Sequence, residues 1–122
     1  MTTRKILIVD DHKEFRETLR SFIEKRFEDA EITEAATGEE GVEAAREKKP
    51  RIALIDIHLP RMEGIEAVRR IKQCVPGCHI LTMSLFKENR HREFLSKEVD
   101  AFVWKDGIAD GLIPLLHRFL NS

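Results

Sequence analysis

Residues 5–15 read KILIVDDHKEF, an aliphatic run that stops abruptly on two adjacent carboxylates, Asp10 and Asp11. Ile6 to Val9 show no helical period, and a short continuous apolar run of this kind fits a strand buried on both faces. The next segment, FRETLRSFIEKRF, puts Phe15, Leu19, Phe22 and Ile23 on one stripe, which predicts an amphipathic helix.

The same alternation continues along the chain. EITEA at 31–35 predicts a second strand, and GEEGVEAAREK at 38–48 a polar helix with Val42 and Ala45 inward, closed by Pro50. RIALID is a third strand that again ends on an acid, Asp56. Pro60 and Gly64 punctuate a loop before a helix marked by Ile65, Val68 and Ile71. HILTM at 79–83 predicts a fourth strand, followed by a charged helix to about Lys97. AFVW at 101–104 predicts a fifth strand, ending on Lys105. A last helix carries Leu112, Leu115 and Phe119; Pro114 predicts that it starts late, near Asp110, or is kinked.

Strands that alternate with helices imply a parallel sheet covered on both faces, because parallel crossovers need a helix-length connection. Right-handed crossovers bring every strand's C-terminal end to one edge, where doubly wound sheets bind their ligands. The residues that end the strands are therefore the candidate site: Asp10, Asp11, Asp56, Thr82 and Lys105.

Composition sets the frame for that site. The 122 residues suit a single domain, and 42% hydrophobic with 35% charged residues suits a globule with one core rather than a disordered chain. A net charge of −1 gives no global attraction to nucleic acid or anionic membrane. No apolar run approaches the ~20 residues that span a bilayer, and the N-terminus lacks a signal-peptide pattern. A cytoplasmic protein without membrane contact, with Cys74 and Cys78 reduced, is the expectation. CVPGCH at 74–79 has the wrong cysteine spacing for haem attachment and reads as a helix-to-strand loop.

Three clustered carboxylates raise one another's pKa unless a cation joins them. Mg²⁺ suits a site of few carboxylates completed by water and phosphate oxygens. A divalent cation and a lysine together can hold a dianionic phosphoryl group, with Thr82 donating a hydrogen bond to it. Phosphoryl transfer needs little beyond such positioning and charge neutralisation, and one carboxylate can act as the nucleophile.

DD at 10–11, LIDIHLPRMEG at 54–64, LTMS at 81–84 and FVWKD at 102–106 together resemble the receiver domain of two-component response regulators. The likeness covers essentially the whole chain, residues 1–122, as one receiver domain, and DDHKEFRETL resembles the LuxR/NarL-type subfamily with a helix-turn-helix output domain. The resemblance implies a doubly wound (βα)5 flavodoxin-like three-layer α/β sandwich, with strand order 2-1-3-4-5. It implies that Asp56 is the phosphoacceptor from a sensor histidine kinase. Asp10, Asp11, Asp56 and the backbone carbonyl of His58 would hold Mg²⁺. Lys105 would pair with the phosphoryl oxygens, Thr82 would be the switch hydroxyl, and Phe102 the aromatic coupled to it. The output surface would be the fourth helix, fifth strand and fifth helix, which is also a candidate homodimer contact. DNA would be reached only through an output domain outside this chain.

His58 and Ser84, each two residues past a site residue, are candidates for tuning hydrolysis of the acyl phosphate. His12 reads as an exposed helix-start residue rather than a ligand, since imidazole suits softer metals than Mg²⁺. KENRHRE at 87–93 reads as a solvated helix face, and Trp104 as a packing or partner-facing neighbour of Phe102. Met83, bulkier than the small residue common after the switch hydroxyl, is expected to restrict the phosphoryl pocket. Two rivals share parts of the pattern. A phosphate-independent binding module would not need the full acid–Thr–Lys set. A Mg²⁺-dependent phosphohydrolase usually needs a second acid two residues past its nucleophile, where this chain has His58.

Overall fold

The computed structural model describes residues 4–60, 62, 64–85 and 98–121. In order along the chain they form β1 (Arg4–Val9), α1 (Lys13–Arg26), β2 (Ala30–Ala35), α2 (Gly38–Lys48), β3 (Ile52–Asp56), α3 (Gly64–Cys74), β4 (His79–Ser84), β5 (Ala101–Trp104) and α4 (Ile108–Leu120). The strands form one parallel sheet in the order β2-β1-β3-β4-β5, as expected. The charged helix predicted between the fourth and fifth strands, with KENRHRE, lies outside the described residues.

Strand parity divides the apolar side chains into two cores. Ile6, Ile8, Leu54, Leu81, Met83 and Val103 face α1 and α4, packing with Leu19, Ile23, Leu112 and Leu116. Leu7, Val9, Ala53, Ile55 and Ile80 face α2 and α3, packing with Val42, Ala45, Val68 and Ile71. β1 and β3 need apolar residues at successive positions because both of their faces are covered. Ile6 pairs with Ile32 on one side and Ile52 on the other, which seats β1 between β2 and β3.

Local chemistry sets the helix ends. Thr37 caps α2, its hydroxyl accepting from the Glu40 N–H at 3.1 Å, while the Glu40 carboxylate accepts from the Ala36 N–H at 3.0 Å. This is a variant of the reciprocal capping box. Lys49 ends α2 in the left-handed region at φ 50°, directly before Pro50. α4 begins at Ile108 rather than near Asp110 and continues through Pro114. Pro114 and Asp110 are both exposed, so the carbonyl left without its helical donor can be hydrated. CVPGCH is the connection from α3 to β4, as predicted, and both cysteines are free thiols. No helix among the described residues is long and apolar enough to cross a membrane.

Candidate functional site

Asp10 follows β1, Asp56 ends β3 and Lys105 follows β5, so the sheet delivers all three to one edge. Their parity matches Ile8, Leu54 and Val103, placing them on the α1/α4 side. Lys105 Nζ lies 2.6 Å from Asp10 Oδ2 and 2.9 Å from Asp56 Oδ2. Both contacts are ion pairs, and the one to Asp56 is also a hydrogen bond donated by the ammonium. Asp10 is fully buried, Asp56 nearly so, and the lysine side chain is 4% exposed. Burial alone would lower the lysine pKa. Hydrogen bonding and charge from Asp10 and Asp56 outweigh it and hold the ammonium above its ordinary value.

The remaining oxygens are also fixed. Asp10 Oδ1 accepts from the His12 N–H at 2.8 Å, and Asp56 Oδ1 from the His58 N–H at 2.9 Å. His12 Nδ1 lies 3.2 Å from the Oδ1 atoms of both Asp10 and Asp11. The ring is at the start of α1 and largely exposed, as the sequence suggested, but its contact with both acids was not foreseen.

Among the described residues gathered here, the three carboxylates of Asp10, Asp11 and Asp56 face one ammonium, a formal excess of two negative charges. Asp10, Asp11, His12 and Asp56 each offer a ligand atom, all within 4.8 Å of one another. An oxygen-rich set with two uncompensated charges fits a hard divalent cation.

Thr82 sits in β4 beside Ile55, one register position before Asp56, and opposite Phe102 of β5. It is fully buried, and its hydroxyl has no hydrogen-bond partner among the described residues. An unsatisfied buried hydroxyl costs roughly 1–3 kcal/mol. The half-buried Phe102 ring meets Trp104 edge-on at 4.7 Å, which pairs the two aromatics that share strand parity. Ser84 is fully buried, and its carbonyl accepts from the Lys105 N–H at 2.9 Å. Met83 does not line the mouth of the site as expected. It is fully buried in the α1/α4 core, where it shares the parity of its register partners Asp56 and Val103 and packs beneath the edge.

Three supporting contacts were not read from the sequence. Arg16 Nη1 donates to the backbone carbonyl of Asp10 at 2.6 Å, and the same guanidinium pairs with Glu34 at 3.1 Å. The Phe15 ring lies under Lys105, with Nζ 4.6 Å from its centroid. Gly64 packs so closely on the turn after β3 that a Cβ there would lie 2.5 Å from the Asp56 carbonyl oxygen and 2.4 Å from the Ile57 Cα. An open recess of about 930 Å³ adjoins the acids, bordered by Asp11, His12, Phe15, Leu85, Lys105 and Asp106.

Residues 6–116 match the family model described as the response regulator receiver domain. The transcriptional regulatory protein LnrK of Bacillus subtilis is 34% identical over 89% of this chain and 50% of its own length. The response regulator protein VraR of Staphylococcus aureus is 32% identical over 95% of this chain and 56% of its own. A LuxR-family two-component response regulator from Aurantimonas superposes with a TM-score of 0.88 at 30% identity, over 98% of this chain and 86% of that one. A receiver domain protein from Methanospirillum hungatei gives 0.89 at 26% identity, over 98% and 95%. The chain spans about half the length of the curated relatives it matches. With its strand order, its edge of acids and lysine, and these relatives, the chain belongs to the response regulator receiver domains of two-component signalling.

Proposed function

We propose that residues 1–122 act as one receiver whose Asp56 carboxylate takes a phosphoryl group from the phosphohistidine of a sensor kinase. An Asp56 oxygen attacks phosphorus, the phosphorus–nitrogen bond breaks, and the imidazole nitrogen keeps the electron pair and binds a proton. The observation that carries this reading is the buried Lys105 ammonium bridging Asp10 and Asp56, since a fixed cation beside a buried carboxylate is what an incoming dianion requires.

Asp10, Asp11, Asp56 and the backbone carbonyl of His58 would hold Mg²⁺, which would supply charge neutralisation for the transferring oxygens. Thr82 offers its hydroxyl, which has no partner among the described residues, to the bound phosphoryl group, and Phe102, beside it in the register, carries the change to the surface. His58 and Ser84 tune the hydrolysis that resets the switch, so the domain assists its own modification without turning over a substrate. The segment between β4 and β5, β5 itself and α4 form the output surface and a homodimer contact. A DNA-binding output domain beyond this chain, in the cytoplasm, is the natural recipient, in keeping with the transcriptional regulators among the relatives.

The test is phosphorylation by acetyl phosphate with Mg²⁺. Wild type should gain one acid-labile phosphoryl group and Asp56→Asn none. Equal labelling of the variant would overturn the assignment of Asp56, and sustained turnover of small phosphate esters would favour a hydrolase.

A further inference from the structure

We propose that Phe15 is a positioning residue for phosphoryl binding, its aromatic face holding the Lys105 ammonium at the site while the lysine's carboxylate partners are re-engaged. The inference rests on the reading of Lys105 as the cation that meets the phosphoryl group.

Among the described residues the ammonium meets Asp10 Oδ2 at 2.6 Å, Asp56 Oδ2 at 2.9 Å and the Phe15 ring at 4.6 Å from its centroid. The last distance lies within the ~6 Å over which a ring face attracts a cation, and the attraction strengthens when the cation is desolvated, as this one is. A metal ion and a phosphoryl group both draw on the carboxylates. As they bind, Asp10 and Asp56 loosen their hold on the lysine, whereas the ring keeps its own.

An uncharged ring suits this position better than a third acid. It attracts the ammonium without repelling the incoming dianion. Phe15 also lies in the first turn of α1, directly after the loop that carries Asp10 and Asp11, and packs against the α1/α4 core. One rigid helix start therefore sets both the metal carboxylates and the lysine, which arrives from the far side of β5.

The plain alternative is that Phe15 only fills space against that core. Fluorinated phenylalanines separate the two, because ring fluorines drain the negative face with little change of shape. Mono-, di- and trifluorophenylalanine would be placed at position 15 of the full chain. Calorimetry would then measure beryllofluoride affinity with Mg²⁺, Mg²⁺ affinity alone, and the thermal midpoint. Beryllofluoride binding should weaken stepwise, to about fivefold for the trifluoro ring, with Mg²⁺ affinity and midpoint steady. Phe15→Leu should lose about as much, and Phe15→Tyr should restore most of it. Affinity that is flat across the fluorinated series, or that falls only in step with the midpoint, would overturn the positioning role. If wild type itself fails to bind beryllofluoride, the reading of Lys105 falls first and this inference with it. A wild type that binds alongside a flat series removes the inference alone.

Discussion

Gly64 and Asp56 are in backbone contact: a Cβ on Gly64 would sit 2.5 Å from the carbonyl oxygen of Asp56. The start of α3 is thus clamped onto the turn that presents the acid, and the Gly64 N–H closes the clamp by donating to the Ile57 carbonyl at 3.3 Å. Gly64→Ala must push the helix from that turn. Such overpacking costs about 1–3 kcal/mol, read by urea denaturation. The initial rate of Asp56 phosphorylation should fall as well, because the displaced backbone carries the carboxylate. An unchanged midpoint and rate would show that the turn yields freely.

Thr82→Val should behave oppositely in its two readouts. Removing a buried hydroxyl that has no partner among the described residues relieves an unsatisfied group, so the unmodified protein should hold its stability or gain about 1 kcal/mol. Beryllofluoride with Mg²⁺ should then produce smaller amide shifts around Phe102 than in wild type. Full-sized shifts in the valine variant would remove the hydroxyl from the switch.

Lys105 predicts a specific alkaline limit. Its folded pKa lies above the ordinary 10.5, so its contribution is complete below that value and fades as pH rises through the folded value. Burial pushes the Cys78 thiol up to about 12 from 9.0, which adds a loss in the same direction above its ordinary value. The comparison therefore belongs in a Cys78→Ala background. There, Lys105→Arg keeps its charge at high pH, and its stability should decline less between pH ~9 and ~12 than that of the lysine protein. Parallel curves would place the alkaline loss elsewhere.

Glu34 predicts the acid side. Burial alone would raise its pKa, but hydrogen bonds and charge from Arg20 and Arg16 overcome this and hold it below 4.5. A lowered folded value means stability that is present above 4.5 and lost as pH falls through the folded value. Glu34→Gln should cost about 1–2 kcal/mol at neutral pH and flatten the acid limb of the stability profile. Because Arg16 also holds the Asp10 carbonyl, the variant should weaken Mg²⁺ binding as well. Calorimetric titration of the ion checks the second effect.

Much of this geometry was legible in the sequence, for a physical reason. Strands buried on both faces leave unbroken aliphatic runs such as Ile6–Val9, and each run ends where the chain meets solvent and chemistry. Asp10, Asp56, Thr82 and Lys105 could thus be assigned to one edge before any coordinates. What escaped depends on how distant elements cross. The ring of Phe15 under Lys105 requires the start of α1 to meet the end of β5, and no local pattern encodes that meeting. The approach of Gly64 to Asp56 is likewise a matter of helix depth rather than period. Pro114 sits inside α4 because it lies on the exposed side of the helix, where water can replace the missing donor, and exposure of that kind is not encoded in the proline itself.

The ion pair between Lys105 and Asp10 has a further consequence for the fold. An internal counterion seated among its buried acids offsets part of their repulsion within the polypeptide itself, so the fold should tolerate chelation of divalent ions.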